Sequence, residues 1–132
     1  MRRDHFSERL IAQVIHWIED HIYERITLDD LANKAGYSKW HFQRLFYDQM
    51  SITAASYIRN EKLYRSIYDL KFGDATIVSI ADKYSFGSQQ SYTRTFKHVL
   101  NCTPSQCRAR NSLRLKDLSG VELCKACRQL QN

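Results

Sequence analysis

One proline and four glycines in 132 residues leave little room for low-complexity linkers or long disordered tracts. Long apolar runs are missing too. No stretch reaches the roughly 18 residues a membrane helix needs. The first four residues, Met1 to Asp4, include three charged side chains and lead straight into an amphipathic pattern. No separate apolar signal region stands in front, so the chain is expected in the cytoplasm, away from membranes. Chemistry-bearing motifs are equally scarce. There is no glycine-rich phosphate loop and no paired-carboxylate motif. The five histidines (His5, His16, His21, His41 and His98) form no metal-ligand spacing and flank no plausible nucleophile. The sequence therefore predicts no enzyme, no catalytic residues and no cofactor.

Cysteine is confined to one end, as Cys102, Cys107, Cys124 and Cys127. In a cytoplasmic protein these are expected as reduced thiols, and no metal is assigned to them. The pairs Cys102-x4-Cys107 and Cys124-x2-Cys127 also permit an alternative, a zinc- or redox-gated sensor.

What is present is charge, helical periodicity and repetition. The formal net charge is +6, with 20 Lys+Arg against 14 Asp+Glu. Residues 1–50 hold seven basic and eight acidic side chains, whereas residues 51–132 hold 13 and six. The basic field thus leans toward the second half, which suits a polyanionic partner without specifying a sequence.

Apolar residues recur at helical spacing almost throughout, which predicts an all-α fold. Ser7 is a candidate cap for a first helix with the stripe Leu10, Ile11, Val14, Ile15, Trp17, Ile18 and Ile22. Thr27, with Asp30 three residues on, begins a second helix. Gly36 can end that helix in a left-handed turn, and Ser38 can cap the next, from about Lys39 to Gln49. A short helix, a glycine turn and a second helix make a helix-turn-helix pattern. It recurs about fifty residues later. Thr27, Ala32, Lys34 and Tyr37 match Thr76, Ala81, Lys83 and Phe86. After a one-residue slip in the turn, Phe42, Arg44, Phe46 and Thr53 match Tyr92, Arg94, Phe96 and Thr103. The chain reads as two copies of one supersecondary unit. A helical stretch from about Thr53 to Lys71 joins them, roughly 28 Å long at about 1.5 Å per residue. Thr103-Pro104 can open a last short helix. The expected organisation is an N-terminal helix-turn-helix subdomain at 8–52, a linker helix at 53–72, a C-terminal subdomain at 73–110, and a tail at 111–132.

The second helix of each unit carries the candidate reading face. Trp40, Gln43, Arg44 and Tyr47 stand at i, i+3, i+4 and i+7, opposite Phe42, Leu45 and Phe46. Gln89, Gln90, Thr93, Arg94 and Lys97 share one side of the later helix, opposite Tyr92, Phe96 and Val99. Arginine matches the paired acceptors of guanine, and glutamine the donor and acceptor of adenine. An isolated Gln or Arg is ordinarily a solvated surface residue. Two such faces at matching places in two repeats, one with an exposed tryptophan, point to DNA. Lys39, Lys62, Arg65 and Lys97 are candidate phosphate contacts. A spacer near the roughly 34 Å between successive major-groove faces would let one chain address two groove segments. A shorter reach would require the DNA to bend. Unlike heads predict an asymmetric site.

These residues are familiar. "GYSKWHFQRLF" (36–46) and "SQQSYTRTFK" (88–97), with "WIED" (17–20) and "SYIR" (56–59), resemble the AraC/XylS family of bacterial transcription activators. Within it the short stand-alone MarA/SoxS/Rob group is most similar. The resemblance covers about residues 8–110. It implies a seven-helix monomer with two helix-turn-helix subdomains on a central helix, bound to degenerate, asymmetric promoter sites in double-stranded DNA of about two helical turns. It further implies activation through RNA polymerase, by the C-terminal domain of its α chain and sometimes by its σ factor. The group's base-contacting positions correspond to Trp40, Gln43 and Arg44, and to Gln89, Gln90, Thr93 and Arg94. Targets in the group include multidrug-resistance and stress-response genes. Larger members carry a separate effector-binding domain that the short ones lack, so the resemblance implies no small-molecule ligand. One departure is plain. The family signature usually ends Pro-x-x-Tyr-Arg, and here it is Pro104-Ser105-Gln106-Cys107-Arg108.

Overall fold

The computed structural model describes residues 5–109, and these form seven α-helices. They are α1 (His5–Asp20), α2 (Leu28–Ala35), α3 (Lys39–Met50), α4 (Ala54–Phe72), α5 (Ile77–Lys83), α6 (Gln89–Leu100) and α7 (Pro104–Ala109). The chain divides into two compact units, the first ending at Arg59 and the second beginning at Asn60. The expected tail, with Cys124 and Cys127, lies outside the described residues.

In the first unit α1 packs on α2 and α3, and α2 packs on α3. Ile11, Val14, Ile18 and Ile22 from the α1 side meet Leu31, Ala32, Phe42 and Phe46, all buried. Phe46 also meets Tyr57 edge-on, ring centroids 5.9 Å apart. Leu10, Ile15 and Trp17 from the predicted stripe are only partly buried. Trp17 instead stacks on His21 at 4.1 Å, with the Lys34 ammonium 5.5 Å from its ring centroid. Ser7 does not cap α1. The described helix already runs at His5, so Ser7 lies inside it and not at an N-cap position.

The second unit repeats the arrangement with α5 on α6 and α6 on α7. Its core gathers Leu63, Tyr64, Ile67, Leu70, Ile80, Ala81, Tyr84, Tyr92, Phe96 and Leu100. Here the core carries a polar pin. The Tyr92 hydroxyl donates to Ser66 Oγ (2.8 Å), and Ser66 Oγ donates to the Leu63 carbonyl (2.6 Å). Burial drives the Tyr92 pKa well above the ordinary phenol value. Two cations close helix ends. Arg108 Nε donates to the Leu70 carbonyl (3.1 Å) near the end of α4, and Lys62 Nζ donates to the Tyr84 carbonyl (2.8 Å) at the end of α5.

The caps explain where the elements start. Thr27 and Asp30 exchange two hydrogen bonds of 3.1 Å, a complete capping box, and the backbone amide of Thr27 holds the Asp30 carboxyl below its ordinary pKa. Thr103 and Gln106 do the same for α7, at 3.1 and 2.9 Å. The cysteine at the signature tyrosine position does not leave α7 adrift. Cys107 is fully buried, and Arg108 reaches back to α4.

Candidate nucleic-acid interface

The two reading helices are built alike. Each has 12 residues, a serine N-cap and a left-handed C-cap. Ser38 Oγ accepts from the His41 amide (3.2 Å), and Ser88 Oγ accepts from the Ser91 amide (3.0 Å). The turns feeding them share one bond. The Tyr37 amide donates to the Ala32 carbonyl, and the Phe86 amide to the Ala81 carbonyl, both at 3.0 Å. Gly36 takes the left-handed conformation in the first turn (φ 80°), and Ser85 takes it in the second (φ 59°). Gly87 (φ 89°) then intervenes between Phe86 and Ser88, whereas Tyr37 adjoins Ser38 directly. The slip in the sequence repeat is this extra glycine.

The caps and turns fix which way each helix faces. On α3, Phe42 and Phe46 are buried while Trp40, Gln43, Arg44 and Tyr47 are exposed, Trp40 by 67% and Tyr47 by 54%. The Arg44 guanidinium lies 5.5 Å from the Trp40 ring centroid, a cation–π contact that steers the side chain before any ligand arrives. On α6, Tyr92, Phe96 and Leu100 are buried while Gln89, Gln90, Arg94 and Lys97 are exposed, and Thr93 is half-buried. All nine candidate residues thus share the outer side of their helices.

The candidate phosphate contacts divide. Lys39 and Lys97 are exposed, Lys39 with an ion pair to Asp29 (3.4 Å). Arg65 is half-buried, its Nε 3.6 Å from a Glu61 oxygen. Lys62 is not a phosphate contact. It is 7% exposed, its ammonium is committed to the Tyr84 carbonyl, and burial pulls its pKa below the ordinary 10.5. A feature absent from the sequence reading is a recess of about 210 Å³ on α3, lined by Trp40, His41, Arg44, Leu45 and Asp48. Spacing puts Asp48 four residues after Arg44, but the recess itself shows only in the folded chain.

Among the described residues no group of three or more His, Cys, Asp or Glu side chains gathers as metal ligands. Cys102 and Cys107 are buried and carry no disulfide.

Paired helices of this form, each pair presenting a polar outer face on its second helix, define a helix-turn-helix protein. Residues 31–110 match the family described as a helix-turn-helix domain, and the chain belongs to it as an AraC-type DNA-binding transcription regulator of the MarA/Rob-like kind. It is similar to the transposon Tn10 TetD protein of Escherichia coli, 48% identical over 108 residues, covering 82% of this chain and 78% of that one. It is also similar to the transcriptional regulator Rob of Salmonella typhimurium, 41% identical over 96 residues. That match takes in 73% of this chain but only a third (33%) of Rob. Among solved structures, the DNA-binding domain of the global transcriptional factor AdpA, in complex with a target DNA, shares the fold. Its TM-score is 0.72 at 22% identity, over 75% of this chain and 89% of that one. No described helix is long and apolar enough to cross a membrane.

Proposed function

We propose that this protein is a cytoplasmic activator that reads an asymmetric promoter site as a monomer, with α3 and α6 each entering a major groove, and recruits RNA polymerase. The observation that carries the reading is the double, unlike outer face. Trp40, Gln43 and Arg44 on one helix and Gln89, Gln90 and Arg94 on its counterpart are all exposed over buried aromatic residues. Arg44 and Arg94 are assigned to guanine, and Gln43, Gln89 and Gln90 to adenine or neighbouring acceptors. Trp40 and Thr93 are assigned to sugars and thymine methyls, and Tyr47 and Lys97 to the backbone. The proposed protein partner is RNA polymerase, through the C-terminal domain of its α chain and sometimes through σ. A multidrug- or stress-response regulon is the proposed target set, by analogy with Rob and its kin. Gating through cysteine draws no support from the described thiols, because burial makes a thiol inert.

Gel shifts on promoter fragments with a salt titration test the reading. Binding should weaken steeply with salt yet still prefer particular sequences, with a footprint of about two helical turns. Sedimentation on a minimal selected site should give one protein per duplex. Binding that ignores sequence, or two protomers on that minimal site, would contradict it.

A further inference from the structure

The recess on α3 contains one acid that the base and phosphate assignments leave unused. Asp48 is the sole acidic side chain of α3, and α6 has none. It is exposed and lies four residues after Arg44, so the two side chains are neighbours on the helix surface. They do not pair with each other. The Arg44 guanidinium lies 5.5 Å from the Trp40 ring centroid, and Asp48 makes no hydrogen bond or ion pair with any described residue. A cation and an anion are thus held side by side with both left for an outside partner, at a recess they line together with Leu45.

The repeat sharpens the point. Tyr47 and Asp48 stand where the second unit has Lys97 and His98. The second head continues past its arginine with the cation Lys97 and carries no acid, as a phosphate grip requires. The first head continues with an acid, which every phosphate within a Debye length of about 8 Å repels. An acid on such a face is favourable only against a hydrogen-bond donor. In the major groove one G·C pair offers two acceptors on guanine and, beside them, the N4 amine of cytosine. Arg44 and Asp48 match that row of groups in order.

Building on the DNA-reading function, we propose that Asp48 is a specificity-determining residue. Its carboxylate accepts from the N4 amine of the cytosine whose guanine partner meets Arg44, so that one base pair and its orientation are read by two side chains. The test is selection from a randomised double-stranded DNA library by the full chain, with sequencing of bound sites and a salt titration on the winners. Arg44→Ala marks the position read by the first head. Asp48→Ala should lower the G·C preference at that same position by about tenfold and leave other positions alone. Asp48→Asn keeps a carbonyl acceptor and should retain most of the preference. A gain in affinity for all sequences, equal in both Asp48 variants and with steeper salt dependence, would mean that the acid only repels phosphate and would overturn the proposal. An unchanged preference would overturn it too. A wild-type chain that enriches no sequence would bring down the DNA-reading function itself, and this inference with it.

Discussion

Set side by side, the two helix-turn-helix units share caps, helix lengths and the bond that closes the turn, yet they differ in how the reading helix is anchored. The first rests on an all-aromatic contact of Phe42, Phe46 and Tyr57. The second exchanges Phe42 for Tyr92, whose hydroxyl is tied to Ser66 on α4, and exchanges Tyr57 for Cys107. Apolar packing is tolerant of direction, whereas a hydrogen bond at 2.8 Å fixes one. The first head is therefore held by shape and the second by shape plus a directional tie.

The largest expected effect comes from the residue both units share. Phe46→Ala and Phe96→Ala should each cost about 3–5 kcal/mol, because a fully buried ring is removed. Urea unfolding followed by circular dichroism would show it, and equal losses would confirm equivalent anchoring at this position. Next, Arg44→Ala and Arg94→Ala should each cost about 1–3 kcal/mol on a selected site and relax preference locally. Their unfolding curves should match the wild type, since both side chains are exposed. Unchanged footprints for both would remove the assignment.

Tyr92→Phe sharpens the contrast between the units. It deletes the tie and should destabilise by about 1 kcal/mol, while the reverse change at the matching place, Phe42→Tyr, should cost more by burying an unpartnered hydroxyl. Equal tolerance at the two sites would erase the distinction. A smaller effect belongs to the second turn. Ser85 occupies the left-handed position that Gly36 fills in the first, so Ser85→Gly should stabilise by about 0.5–1 kcal/mol and Gly36→Ala should destabilise by a similar amount. Last comes pH. The folded-state pKa of Lys62 lies below 10.5, so between the two values the unfolded chain binds the extra proton. Its contribution to stability should rise as pH climbs through the alkaline range toward 10.5, and Lys62→Met should abolish that slope in pH-dependent unfolding.

Much of this architecture is legible in the sequence because it is local. Caps at Thr27 and Ser38, the period of Phe42/Phe46 and Tyr92/Phe96, and the order of the repeat all act within a few residues. Lys62 misleads because charge suggests surface. Its register argues otherwise, since Ile58, Lys62, Ser66 and Leu70 stand four apart on α4 and all are buried. Asp69 shows what register alone does not reveal. It accepts from the Tyr84 hydroxyl (2.7 Å) and from Lys83 (3.2 Å), partners 14 and 15 residues away that only the folded chain brings together. Asp48 escapes a sequence reading for another reason. On a face chosen for cations and amides, an acid does not announce itself until the recess beside it is seen.

The matched ends of α3 and α6 have a practical corollary for engineering. A segment beginning at a serine cap and closing at a left-handed residue, of equal length in both copies, is a cartridge that could be exchanged between sockets. The added glycine belongs to the socket and not to the cartridge. A chimera joined at Ser38 and Ser88 should transpose its base preferences at a cost in stability, since it moves Tyr92 away from Ser66 and into the first core, whereas one joined upstream would also carry the wrong turn into each position.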